Sequence, residues 1–361
     1  MNDKLLGTLA TLVACDSRNP PRRCEHVAKA AADMMSAHLT VNITDLGNGS
    51  VNVLGSRGTP RVLLTAHLDT VPLAAGWSRD PFKLTIENDR AYGLGACDIK
   101  GGAAAMITAA IELEFDAPVA LLFTTDEEAG DASCVRAFLQ EKPSIELVVV
   151  AEPTRCQAVH GHRGIGTGTL QFRGRGAHSS VHGASAHSAI HHMMRWGEAA
   201  IRLDQELDRS LTGGNVSGTR FNVGRVSGGE KTNMIADDAS ARFGVRPPPG
   251  VDAKKVLGDF AALTKHAVYT EDYTGPALPA AGTDGETTER ARNFARAAGA
   301  IEGMTVDFWT EASLFSAAGY ATFVLGPGDI LQAHAADEFV ELTQLESALK
   351  IYRALLRGGG G

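Results

Sequence analysis

The chain has 361 residues, 44% hydrophobic and 21% charged, the proportions of an ordinary globular protein long enough for two domains. Lysine plus arginine number 34 against 42 acids, a net charge of −8 with no basic block, which argues against a nucleic-acid partner. Five cysteines without CxxC or CxxxC spacing argue against a disulfide framework or a cysteine-rich zinc site and fit a reducing cytoplasm.

In chain order, "LLGTLATLVAC" comes first. It ends in cysteine, as a lipoprotein signal does, but "MNDK" offers one basic side chain offset by Asp3. Leu5, Leu9, Leu12 and Val13 fall at helical spacing, so an amphipathic helix is expected. No run approaches ~18 apolar residues, so no membrane span is expected. "RVLLTAHLDTV", "APVALLFTTDEE" and "IELVVVAEPT" read as buried strands, and "GGAAAMITAAIELEF" as a helix between the first two. Continuous apolar strands with intervening helices predict an α/β fold, a mainly parallel sheet covered on both faces.

The pattern changes near residue 164. "GTGTLQFRGR", "GTRFNVGRVSGG" and "ASARFGVRP" alternate as half-exposed strands do, and helices are expected from about Ala186 to Leu207 and Asp252 to His266. These features predict an inserted α+β domain with an open antiparallel sheet over 164–271, within a first domain of 1–163 and 272–361. "YTGPALPAAG" reads as the return linker, "ATFVLGPG" as a further buried strand before a C-terminal helix, and the closing "GGGG" as a disordered tail.

Metal-ligating side chains recur where these strands end or a helix begins: His67, Asp98, Glu127 and Glu128, Glu152 and His334. Adjacent acids are tolerable there if cations sit among them. Two imidazoles with three carboxylates suit zinc, cobalt or manganese rather than calcium. Asp69, two residues after His67, can orient that imidazole. Each locus alone has a plainer reading as a hydrogen-bonded histidine or a solvated acid. His178, His182, His187, His191 and His192 could suggest another metal site, but His187 and His191 read more simply as one face of a helix.

"LLTAHLDTVP", "GLGACDIKGG", "TTDEEAG", "VVVAEPT" and "LGPGDILQAH" resemble, in order, the motifs of the two-zinc amidohydrolases, a family that includes acetylornithine deacetylase, succinyl-diaminopimelate desuccinylase and aminoacylase. "FWTEASLFSAAGY" with "LGPGDILQAH" is most similar to acetylornithine deacetylase and its acetylcitrulline-cleaving relative. The resemblance implies a homodimeric hydrolase of small N-acetylated amino acids, with His67, Asp98 and Glu152 on one zinc and Asp98, Glu128 and His334 on the other. It implies Glu127 as general base, Asp69 as partner of His67, and His178 as an oxyanion donor reaching across the dimer from the inserted domain. Asn233, Arg246 and Arg163 would face substrate. Arg246 can pair a carboxylate bidentately, with backbone N–H groups near Gly326 to Gly328 assisting, and Glu311 is a candidate side-chain contact.

Cys97 stands where the family often has threonine, and "VRPPPG" is unusually proline-rich. No GxSxG occurs, which leaves a serine hydrolase unsupported, and "GIGTGT" lacks the third glycine of a dinucleotide loop. A desuccinylase, an aminoacylase, a dipeptidase or a silent binding relative would share the same centre.

Overall fold

The computed structural model describes residues 2–21, 24–210, 212–213 and 216–358; the glycine tail from 359 onward lies outside the described residues. The chain divides into two compact units, one of Met1–His160, Thr283–Met304 and Thr310–Gly361, the other of Gly161–Gly282 and Thr305–Trp309.

In the first unit six strands order as Thr40–Asp45, Val51–Arg57, Val119–Thr124, Val62–His67, Leu147–Val150 and Ala321–Val324. The first two join antiparallel, and the other four run parallel to one another. Every residue of those four is buried, as strands covered on both faces require. Lys100–Ile111 packs beside Asp3–Val13 and Leu342–Leu356. It is alanine-rich and buried almost all round, which permits close helix approach. The expected first helix is Asp3–Val13: Asn2 accepts from the N–H groups of Lys4 and Leu5, and Leu5, Leu9, Leu12 and Val13 are buried. No described helix is long and apolar enough to cross a membrane.

The second unit holds a four-stranded antiparallel sheet, ordered Arg220–Gly228, Asp238–Arg246, Ile165–Arg173 and Ala267–Gly275. Helices Ala189–Ser210 and Ala253–Ala261 pack on it around Trp196, Phe243 and Phe260. Four expectations shift. The second helix ends at Ala261 instead of His266, and the fourth strand takes up Tyr273 to Gly275 of the expected linker. That strand pairs with Ile165–Arg173 as far as Gly275, so contacts carry this unit to Gly282 rather than 271. The first helix begins at Ala189, because Gly183 takes φ 76° and a short 3-10 turn, Ala184–His187, precedes it. His187 therefore lies outside the helix that carries His191.

Candidate metal centre

Adjacent parallel strands end on one edge, where open α/β sheets place their sites. His67 is the last residue of Val62–His67, and Asp126 to Glu128 follow Val119–Thr124. Glu152 comes two residues after Leu147–Val150, and Asp98 stands just before Lys100–Ile111. His334 follows the 3-10 turn Ile330–Gln332 with φ 59°.

Asp98 stands between two imidazoles: Oδ1 is 3.1 Å from His67 Nε2, and Oδ2 is 3.3 Å from His334 Nε2. His334 Nε2 is also 3.1 Å from Glu128 Oε1. Ligand atoms of His67, Asp98 and Glu152 all lie within 4.8 Å of one another, as do those of Asp98, Glu128 and His334, with Asp98 common to both groups. Among the described residues no further group of this kind forms around His178 to His192.

The charges are badly matched without a cation. Burial raises the Glu152 carboxyl well above the usual range, and repulsion from Asp98 adds to it. Its carboxylate has no hydrogen-bond donor among the described residues. Burial also works against the charge on Asp98, but the bonds from His334 and His67 win and hold its pKa below normal. His334 is pushed up to about 10 by its bonds to Asp98 and Glu128. Burial opposes the charged form of His67, yet Asp69, Asp98 and Glu152 together raise it well above its ordinary value. Protons hold this cluster together where cations can replace them. A buried carboxylate lacking donors, beside imidazoles sharing carboxylates, fits divalent cations of the zinc type.

The three consecutive acids diverge. Asp126 accepts from Cys134 N (3.0 Å) at the start of helix Ser133–Gln140, so it holds backbone and is no ligand. Glu127 has no hydrogen bond to its carboxyl among the described residues and is pushed up to about 8, chiefly by burial. Glu128 turns to His334, and its own N–H donates to Asp69 Oδ2 (3.1 Å). Asp69 Oδ2 also accepts from Asn19 Nδ2 (3.0 Å), while His67 Nδ1 lies 3.0 Å from the Asp69 carbonyl. That contact leaves His67 Nε2 directed at Asp98.

Several expected residues have other occupations. The Gly326 N–H donates to Thr154 Oγ1 (3.1 Å) and the Gly328 N–H to Gln344 Oε1 (2.6 Å), so neither is available to substrate. What these glycines supply is clearance: a Cβ at Gly326 would lie 2.6 Å from the Glu152 carbonyl, and one at Gly328 would lie 2.6 Å from Cys97 Sγ. Arg163 is buried, with its guanidinium engaged by Asp307 (2.5 Å) and the carbonyls of Gly218 (2.5 Å) and Ser217 (2.9 Å), a clamp within the second unit. Cys97 donates to the Asp329 carbonyl (3.3 Å), and burial keeps its thiol protonated. Glu311 is buried, accepts from Thr124 Oγ1 (3.1 Å), and is raised well above the normal range by burial and by Asp126 and Glu127.

In the second unit His178 is exposed, 2.7 Å from Ser180 Oγ, and the pairing of Ala177–His178 with Met234–Ile235 brings it beside Asn233, whose carbonyl accepts from Ser179 N (3.0 Å). Arg246 is half-buried at the far end of the strand Asp238–Arg246 and is not brought to that pair.

Glu338 was not among the expected residues. Its buried carboxylate accepts from the N–H groups of Gly95 (2.9 Å), Cys97 (2.9 Å) and Asp98 (3.0 Å), fixing the loop that delivers Asp98. Lys100, fully buried, donates to the Cys15 carbonyl (3.0 Å), and burial brings it down to about 8. Glu338 follows His334 by four residues and Lys100 follows Asp98 by two, the only sequence signals that could have raised them.

A family model described as peptidase family M20/M25/M40 matches residues 63–358. N-acetyl-L-citrulline deacetylase of Xanthomonas campestris pv. campestris is 45% identical, over 99% of this chain and all (100%) of that one. Acetylornithine deacetylase of Myxococcus xanthus is 32% identical over 94% of this chain and 93% of its own. Among solved structures, aminopeptidase PepT from Bacillus cereus matches with a TM-score of 0.75 at 20% identity, covering 98% of both chains. The M20 family metallo-carboxypeptidase Sso-CP2 from Sulfolobus solfataricus matches with a TM-score of 0.72 at 18% identity, covering 98% of this chain and 99% of that one. At such identities the structural likeness speaks for the fold alone.

Proposed function

Because the chain belongs to peptidase family M20/M25/M40, we propose that it hydrolyses the N-acetyl amide of an N-acetylated amino acid, N-acetyl-L-citrulline before N-acetyl-L-ornithine, releasing acetate and the free amino acid. The observation that carries this reading is the 45% identity to a citrulline-derivative deacetylase over 99% of the chain, against 32% for the ornithine relative. The five free cysteines and the biosynthetic relatives support a cytoplasmic setting.

His67, Asp98 and Glu152 would hold one divalent ion and Asp98, Glu128 and His334 a second, zinc for both on the chemistry of the donor set. Such ions, when bound, make water acidic enough to ionise near neutrality and polarise a carbonyl. The chain's own groups do the rest. Asp69 keeps His67 oriented, and Glu338 keeps the Asp98 loop fixed. Glu127 has a carboxyl with no hydrogen-bond partner among the described residues, so it can take a proton from the attacking water and return it to the departing amine. Arg246 would pair the substrate's α-carboxylate. His178 is exposed and held by Ser180, and in a homodimer built through the second unit it would donate to the acyl oxygen in the partner's site.

Side-by-side kcat/KM for N-acetyl-L-citrulline, N-acetyl-L-ornithine and N-succinyl-diaminopimelate tests the reading. We expect the citrulline derivative to lead by roughly tenfold or more, about 1.4 kcal/mol of transition-state discrimination. Preference for the succinyl substrate, or no hydrolysis of any of them by metal-loaded protein, would overturn it.

A further inference from the structure

The second unit contains a cleft of about 890 Å³ whose walls carry a concentration of positive charge. Arg173 and Arg175 enter it from the end of one strand, Arg195 and His192 from helix Ala189–Ser210, and Lys265 and His266 from the turn before Ala267–Gly275. No aspartate or glutamate lines it. Arg173 lies 3.7 Å from Asp238. Arg175, Arg195 and Lys265 are exposed and have no acidic partner among the described residues. The imidazoles of His192 and His266 stack face to face, 3.8 Å between centroids and 5° from parallel. Burial, then the neighbouring His266 and Arg195, hold the buried His192 below its ordinary pKa. Arg195 lies beside His192 in this basic cleft, in a chain whose net charge is −8.

The geometry points to a binding site for a small organic molecule bearing a dianionic phosphate. Three unneutralised cations are more than a single carboxylate needs, and arginine forks match phosphate oxygens two at a time. The volume lies within the range of small-molecule sites and exceeds what a free phosphate fills. Leu263, 37% exposed on the same wall, offers apolar surface to an organic body. Nothing in the proposed hydrolysis uses this cleft, and no residue of the metal cluster lines it.

Isothermal titration of the metal-loaded enzyme with adenosine monophosphate, and separately with inorganic phosphate, tests the site. The double variant Arg195→Gln/Lys265→Gln is compared with the wild type and with Arg225→Gln, which changes an exposed arginine outside the cleft. The expected result is saturable nucleotide binding weakened roughly tenfold or more in the double variant and unchanged in Arg225→Gln. Hydrolysis without nucleotide should be unaffected, which also reports that the variant is folded. Inorganic phosphate should bind the same cleft more weakly, since it leaves the apolar wall uncovered. Absence of binding, equal binding by wild type and double variant, or phosphate binding as tightly as the nucleotide would overturn the proposal.

Discussion

In the first unit His67, Asp69, Asp98 and Glu152 are buried, whereas in the second His178 and Asn233 are exposed. A buried carboxylate without donors is unfavourable by itself, so the groups of the first unit depend on one another and on an incoming cation. Exposed groups keep their water and can be exchanged with little effect on folding. Substitutions in the first unit should therefore register in metal content and stability as well as rate, while those in the second should register in rate alone.

Glu127 sharpens that division, because it stands beside the ligand Glu128 and is proposed to bind no ion. Glu127→Gln should lower kcat about 10²- to 10⁴-fold with metal content unchanged by elemental analysis. Loss of metal in that variant would make Glu127 a ligand. His178→Ala should cost about 10²- to 10³-fold in kcat with an unaltered melting temperature. Normal turnover would remove it from the reaction. Glu338 tests whether the buried network reaches beyond the ligands: Glu338→Gln keeps the shape but weakens three backbone contacts around Asp98. Metal affinity measured by competition with a chelator should fall roughly 10- to 100-fold. Unchanged affinity would confine Glu338 to packing.

The smallest effect concerns a histidine away from the ions. His160 lies against Phe323, and burial lowers its pKa to about 4. It stays neutral in the fold while the unfolded chain takes up a proton below about 6.5. Stability is therefore lost as pH falls from about 6.5 towards 4. Urea midpoints at pH 7 and pH 4.5 should differ less for His160→Gln than for the wild type. Equal differences would assign acid sensitivity to other groups.

The first unit's parallel strands were legible because burial on both faces writes itself as an unbroken apolar run, and the candidate ligands because they follow those runs directly. The strand Ala267–Gly275 was not legible: its exposed face carries Thr270 and Asp272, and the turn-like Tyr273 to Gly275 close it. Arg163 and the two glycines illustrate a different limit. Their positions near a site could be inferred, but whether a donor is free depends on Asp307, Thr154 and Gln344, which are distant in sequence. Glu338 was hidden for the same reason, since its partners are backbone groups and leave no side-chain signature.

The segment Asp126-Glu127-Glu128 assigns one acid to a helix start, leaves one without a hydrogen bond to its carboxyl among the described residues, and turns one to His334. Three neighbours of nearly identical chemistry are thus told apart only by where the chain has turned. Deleting one of them would pass each task to the wrong carboxyl, even though two acids remained.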